Sequence, residues 1–394
     1  MKSWLLAAAV SVSTLAFVAG CGSSPSAAPP AAPAGQFSAQ TQQQLQQVVS
    51  TAQSQYQIPG VVAAVTVPGK GSWVQAAGLA NTQANQPTSV NDKFKIGSIT
   101  KTFTATVILQ LVDQGKLSLS TPISQWVPNV PNAGTITVGQ LLNMTSGIYN
   151  EGAPGSALAQ QVAANPGQVF TPQQIVGLAV SQGPAGPVGT YSYSDTGYQI
   201  LAIIAQAVTG QPIQNLITNQ ILKPLNLSNT SYPTSSAVPS PSTSGYFIAR
   251  NQVVPAPQPD PSALGAAGAM ISTVGDLQTW AKALATGSLL KPQTQQLRLQ
   301  TVPTQVSFTP LPGLGQSTAL PAQYGLGVIN SGGFLGHNGV TNGYNSAMYY
   351  LPQQQATIVI LANGQNVTAF GGKQEVADAM FANFADIINA NAGQ

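Results

Sequence analysis

Strand-like stretches lie near both ends of this 394-residue chain, and helix-like stretches fill the middle. Residues 61–67 and 73–79 are β-branched or alternating runs, separated by Pro68-Gly69-Lys70-Gly71, which reads as a hairpin. Three further strand-like runs come late, at 324–329, 344–351 and 356–362. Between them, apolar residues recur at helical spacing over 99–114, 138–142, 172–180, 198–208, 213–222 and 274–284. Helices are also expected at 42–55 and 373–388. The order predicts an α/β (α+β) protein with one antiparallel sheet built from both ends of the chain. The first and last helices cover the sheet, and a mostly helical region at about 105–250 is inserted.

The first residues read as an export signal. Met1-Lys2 is followed by an apolar run over 4–18, too short for a comfortable membrane span, and then by small residues. Val18-Ala19-Gly20-Cys21 resembles the lipobox of bacterial lipoproteins. That resemblance implies a signal over 1–21, a lipid on Cys21 as the first mature residue, and anchoring to the membrane of a bacterial cell envelope. Cys21 is the only cysteine, so an internal disulfide is excluded. Residues 22–37 are rich in Ser, Pro, Ala and Gly and carry no charge, the composition of a tether. The folded domain is expected over 38–390.

Composition removes several chemistries. Charged residues make up 5% of the chain, against roughly 25% in ordinary soluble domains. The net charge of +3 is scattered, with no basic run to meet nucleic acid. One His and one Cys cannot build an ordinary zinc site, so no metal is expected. Gly372-Lys373-Gln374 is not a phosphate-binding loop, the nine acidic residues form no recognisable pair, and no cofactor is expected. No Gly-x-Ser-x-Gly elbow occurs. The nearest stretch, Gly315-Gln316-Ser317-Thr318-Ala319, lacks the last glycine.

Three short motifs remain. Ser98-Ile99-Thr100-Lys101 places a hydroxyl and an amine three residues apart at a helix start, about 5–6 Å apart at their Cβ atoms. A lysine kept neutral there can take the serine proton, which makes a nucleophile without histidine. The second motif is Tyr193-Ser194-Asp195, and the third is His337-Asn338-Gly339, just before a strand. Each alone has a plain reading: a solvated lysine at a helix start, a core tyrosine, a helix-capping aspartate, a structural histidine.

Together, in order, they resemble the serine β-lactamase and penicillin-binding-protein superfamily, in the branch of class C β-lactamases, DD-peptidases and related esterases. Its pattern is Ser-x-x-Lys, Tyr-x-Asn, then Lys/His-x-Gly. Residues 111–117, 141–148, 265–276 and 324–327 also resemble family segments, with Met144 in place of a usual His, so the likeness runs over about 40–390. It implies a β-lactamase/transpeptidase-like fold. It makes Ser98 the nucleophile of an acyl-enzyme and Lys101 its proton partner. Tyr193 shares acid/base duty, provided a nearby ammonium lowers its pKa. His337 points a donor at the tyrosine and serine oxygens. The backbone N–H groups of Ser98 and Val340 form the oxyanion hole. Asp195, Asn338 and Gly339 take substrate-binding positions.

The pattern also departs from the family. Asp195 replaces an Asn, so a donor becomes an acceptor that can pair with Lys101. Asn338 and Val340 stand where hydroxyls help bind a substrate carboxylate. The two arginines, Arg250 and Arg298, lie in no matched motif. The expected activity is therefore a serine esterase or amidase, or a DD-peptidase-like enzyme acting on peptidoglycan-type substrates. The alternatives are a β-lactamase and a non-catalytic cell-wall or penicillin-binding lipoprotein. A Ser–His–Asp enzyme using Ser317 and His337 is a further one.

Overall fold

The early hairpin forms as the alternation predicts. Strands β1 (Gly60–Val67) and β2 (Gly71–Asn81) pair antiparallel from Gly60↔Gly78 to Val67↔Gly71. These and all following coordinates come from a computed structural model that describes residues 35–250, 252–314, 318–367 and 375–390. The expected signal, Cys21 and Ser317 lie outside the described residues.

Seven more strands join the hairpin: β3 (Gln86–Pro87), β4 (Val302–Phe308), β5 (Leu320–Tyr324), β6 (Ile329–Ser331), β7 (Phe334–Thr341), β8 (Tyr344–Leu351) and β9 (Ala356–Ala362). They make one nine-stranded sheet in the order β3-β2-β1-β9-β8-β7-β6-β5-β4. The two ends of the chain meet at its centre, where Val61 pairs with Ala362 and Thr66 with Thr357. Strands β8 and β9 are buried at every residue, as strands covered on both faces must be.

Two helix layers provide that cover. Helices α1 (Ala39–Tyr56) and α5 (Val376–Ala390) pack on one face, where Phe384 meets Trp73 of β2 edge-on at 5.9 Å. On the other face lie α2 (Thr100–Asp113) and α4 (Val274–Thr286), joined by Phe103 stacked on Trp280 at 4.3 Å. Helix α3 (Asp195–Thr209) packs beside α2. The helices at Val138–Leu142, Ala157–Ala164, Pro172–Gln182 and Ile213–Ile217 complete the inserted helical region.

Helix α2 is buried along most of its length, yet it carries Thr100, Lys101, Thr102, Thr104 and Thr106 into the core. A buried hydroxyl without a partner is costly, and each of these threonines has one. Thr104 Oγ1 donates to Ala266 O at 2.8 Å, and Thr100 Oγ1 accepts from Met270 N at 3.1 Å. Thr102 Oγ1 accepts from Trp280 Nε1 at 2.8 Å, and Thr106 Oγ1 accepts from the buried Arg298 Nη2 at 2.6 Å. The helix is therefore pinned by specific bonds as well as by apolar contact.

Two strand expectations need correction. Residues 324–329 are not one strand. β5 ends at Tyr324 and β6 begins at Ile329, because Gly327 turns at φ 72° and its N–H bonds to Leu142 O at 3.1 Å. His337 is not before a strand but inside β7, opposite Met348 of β8.

Behind β7 and β8, Asp378 of α5 is buried and Glu375, just ahead of that helix, is half-buried. Asn338 Nδ2 donates to Asp378 Oδ2 at 2.9 Å, and Asn345 Nδ2 donates to Glu375. Desolvation pushes Asp378 up to about 8 and Glu375 up to about 7. Both bind a proton more tightly folded than at their ordinary values of 3.8 and 4.5. Their contribution to stability is thus fully present in acid and is lost as pH rises to about 8. Asp378→Asn should remove the larger part of this loss. In urea titrations, the difference between variant and wild type should move toward the variant between pH 4 and 8. One pKa unit corresponds to about 1.4 kcal/mol, and the movement should be at least that large.

Candidate active site

Ser98 sits in a short 3-10 turn, Gly97–Ile99, that leads into α2. Gly97 has φ 50°, and a Cβ there would stand 2.7 Å from Val340 N. From the opposite side, a Cβ on Gly339 would stand 2.0 Å from Ile96 O and 2.9 Å from Ser98 N. Two glycines thus let β7 press against the turn that holds the serine. The contact brings the backbone of Val340 beside that of Ser98, and both residues line one cleft. Such an arrangement suits two N–H donors aimed at one oxyanion.

Lys101 lies one helical turn after Ser98 and is fully buried. Its Nζ donates to Ser98 Oγ at 2.9 Å and to Ala267 O at 2.8 Å, and it forms an ion pair with Asp195 Oδ1. Desolvation lowers the lysine pKa, while Asp195 opposes that shift. The predicted pairing of Ser98 with Lys101 is therefore present, and so is the pairing of Lys101 with Asp195.

Tyr193 comes from the extended stretch before α3, whose N-terminus Ser194 caps by accepting from Gly197 N. Its hydroxyl lies close enough to Ser98 for the serine to act on its proton affinity. Burial holds the phenol pKa well above its ordinary value, Asp195 adds to this, and Ser98 pulls the other way. The expectation of a phenol lowered by a neighbouring ammonium is thus corrected. Lys101 Nζ lies over the Tyr193 ring, 4.9 Å from its centroid, a cation–π contact.

His337 also needs correction. Its Nδ1–H donates to Asn338 O at 2.6 Å, and its Nε2 accepts from the Tyr324 hydroxyl at 2.9 Å. Desolvation and the Lys101 charge lower its pKa to about 3, so the ring is neutral. No donor is left to aim at Ser98 or Tyr193, and the imidazole acts as a buried brace. Asn338 turns its amide to the opposite face of the sheet, onto Asp378. Gly339 lines the cleft and permits the close approach to the serine turn.

Several residues were given no role in the site by sequence. Tyr324 bonds His337 and meets Tyr193 edge-on at 6.2 Å. Its only sequence signal was its place in the stretch 324–327. Met144 is in the left-handed region at φ 64°; its carbonyl accepts from Ser192 N at 2.8 Å and its Sδ from Ser194 N at 3.3 Å. It therefore anchors the Tyr193 segment. Asn150 Oδ1 accepts from Asp195 N at 2.9 Å. A Cβ on Gly152 would stand 1.7 Å from Asp195 Oδ2, so that carboxylate is seated against bare backbone.

The cleft encloses about 620 Å³ and is largely apolar, with Leu264, Val306, Phe308, Ile329 and Val367 among its walls. Asp195 is the one charged residue lining it, among the described residues. Arg298 is buried against Thr106, and Arg250 stands at the turn of the Tyr246–Ala249/Gln252–Pro255 hairpin. Neither arginine lines the cleft.

The Beta-lactamase family profile matches residues 45–381. The chain belongs to the beta-lactamase family. A putative penicillin-binding protein, PbpX of Bacillus subtilis (strain 168), is 30% identical over 279 residues, 71% of this chain and 64% of that protein. Protein flp of Staphylococcus aureus (strain N315) is 27% identical over 335 residues, 82% of this chain and 63% of that one. The chain thus spans 64% and 63% of the length of these relatives. Among solved structures, a D-stereospecific amidohydrolase from Streptomyces sp. shares 32% identity at a TM-score of 0.68, covering 82% of this chain and 93% of that one. D-amino acid amidase from Ochrobactrum anthropi SV3, complexed with D-phenylalanine, shares the fold at a TM-score of 0.76 and 22% identity, covering 89% and 99%.

Replacing Tyr324 by Phe removes the donor to His337 Nε2 and leaves a buried acceptor unpartnered. Such a loss costs about 1–3 kcal/mol. Urea unfolding at pH 7 should show that decrease for Tyr324→Phe, with the cleft still able to bind apolar dyes.

Proposed function

We propose that this protein is a serine hydrolase that cleaves an ester or amide through an acyl-enzyme on Ser98. The observation that carries the reading is Lys101 Nζ at 2.9 Å from Ser98 Oγ, in a cleft that Ser98 and Val340 share. Ser98 Oγ attacks the substrate carbonyl, and the growing negative charge meets the Ser98 and Val340 N–H groups. Lys101, bonded to Ser98, and Tyr193, close beside it, handle the serine proton and return it to the leaving group. Water then releases the acyl group.

Among such reactions we favour amide or ester cleavage over β-lactam or DD-peptide cleavage. No cationic side chain lines the cleft among the described residues, so a substrate carboxylate finds no charge partner there. The likeness to amidohydrolases supports the same choice. The apolar walls suit an acyl group with a hydrophobic side chain.

A fluorescent fluorophosphonate should label the wild type and spare Ser98→Ala; equal labelling of both would remove Ser98 as the nucleophile. Phenylalanine amides of both hands, p-nitrophenyl esters, a D-Ala-D-Ala peptide and nitrocefin should then be compared. The amides and esters should turn over at least tenfold faster than the other two, and the reverse order would place the enzyme among β-lactamases or DD-peptidases.

We also propose export and lipid anchoring through Cys21, on the lipobox-like Val18-Ala19-Gly20-Cys21. Radiolabelled palmitate should enter the wild type in a bacterial host, and Cys21→Ser should lose the label and leave the membrane fraction.

A further inference from the structure

Lys101 cannot take a proton in the arrangement described. An ammonium has three N–H donors and no acceptor. All three are committed, to Ser98 Oγ, Ala267 O and Asp195 Oδ1. The lysine must lose a proton before it can deprotonate Ser98. Ala267 offers a carbonyl oxygen and Ser98 is the group to be activated, so neither serves as a resting place. Tyr193, Tyr198 and Tyr324 face the pair as neutral phenols with raised pKa values, and His337 stays neutral with its Nε2 engaged. Tyr191, also raised, lies at the cleft wall. Glu151 turns its carboxylate away, to Leu158 N at 2.9 Å. The remaining proton acceptor in contact with the amine is Asp195.

We propose that Asp195 accepts the proton of Lys101 when substrate fills the cleft, so that the ion pair becomes an amine and a carboxylic acid and Lys101 becomes the base for Ser98. The inference rests on Ser98 being the nucleophile. Exposure gives it a trigger. The side chain of Lys101 is 0% exposed and that of Asp195 is 20% exposed, so the pair meets water along the edge of Asp195. Asp195 lines the cleft. A substrate lying there removes the water that stabilises the two charges, and a dry ion pair is penalised where a neutral pair is not. The carboxyl group is also held in place, with its backbone N on Asn150 Oδ1 and its Oδ2 against Gly152. An Asn at this position, as in the pattern the motif resembles, has no site for the proton.

The protons balance at each step. A Lys101 N–H bond breaks and an Asp195 O–H bond forms. In the attack, the Ser98 O–H bond breaks, a Lys101 N–H bond forms, and Oγ bonds to the carbonyl carbon as its π electrons move onto oxygen. When the C=O re-forms, the bond to the leaving group breaks and that group takes the proton from Lys101. Water then attacks the acyl carbon as one of its O–H bonds breaks and a Lys101 N–H bond forms; the Oγ–C bond breaks, Ser98 Oγ takes that proton from Lys101, and Asp195 returns its own proton to Lys101 once product departs and water re-enters.

The test is the second-order rate of fluorophosphonate labelling from pH 5.5 to 10 for wild type, Asp195→Asn and Gly152→Ala. Labelling of wild type that is absent in Ser98→Ala first establishes the nucleophile; failure there overturns the functional reading itself, whatever Asp195 does. With the nucleophile established, Asp195→Asn should label at least tenfold more slowly than wild type at pH 5.5. Its rate should climb with pH toward the wild-type value as the Lys101 proton leaves to solvent instead, at a pH below the ordinary lysine range, because burial lowers that pKa and Asp195 no longer opposes it. Gly152→Ala keeps every charge but displaces the carboxylate, and should show the same climb, which decides the matter if Asp195→Asn fails to fold. A variant that labels at the wild-type rate or faster at pH 5.5, with the wild-type pH profile, overturns the proposal. Asp195 would then only hold Lys101 charged.

Discussion

The structure around the cleft depends on one buried ammonium. Lys101, on α2, joins three other parts of the chain: the serine turn Gly97–Ile99 through Ser98, the helix Gly265–Gly268 through Ala267 O, and the start of α3 through Asp195. Burying a charge is costly unless every polar contact is met, and here the contacts match the donors one for one. Removing any acceptor would leave a charged group unpartnered inside the core. The same side chain that contacts the serine therefore fixes how α2, α3 and the Gly265–Gly268 helix sit together.

A second constraint is steric. The proposed oxyanion geometry needs β7 to lie almost in contact with the serine turn. Gly97 and Gly339 meet this need from opposite sides, since a Cβ on either would overlap backbone of the other segment. Once β7 is in place, its side chains alternate. His337 points toward the nucleophile side and is braced by Tyr324, while Asn338 points back to α5 and is braced by Asp378. The strand is thus held from both faces, and the N–H groups it presents are fixed before any charge develops on a substrate.

Much of this was legible in the sequence where the signal is local. The hairpin, the α2 start at Ser98-Ile99-Thr100-Lys101 and the strands Tyr344–Leu351 and Ala356–Ala362 follow from periodicity and turn residues. β7 was not legible as a strand. Gly336, Asn338 and Gly339 have poor strand propensity, and the segment is extended because β8 and the serine turn hold it there. What braces His337 and Asn338 was not legible for a related reason. Their partners, Tyr324 and Asp378, are set by which face of the sheet each residue points to, and that depends on a register only the folded sheet defines. The Lys101–Asp195 pair lay between the two cases: the residue types suggested it, and the fold brought them together.

The join at the middle of the sheet also sets when the site can come into being. β1 leaves the ribosome early, yet its inner partner is β9, with Val61 opposite Ala362. The strand that would complete the proposed oxyanion site, β7, likewise comes long after Ser98 in the chain. Contacts this distant in sequence form slowly, because a long loop must close before any of them is rewarded. A nascent chain that stops short of β7 has Ser98 and Lys101 but nothing to place Val340 beside them. The proposed chemistry is therefore withheld until β7 has been made, and a product terminated before it would be inert rather than partly active.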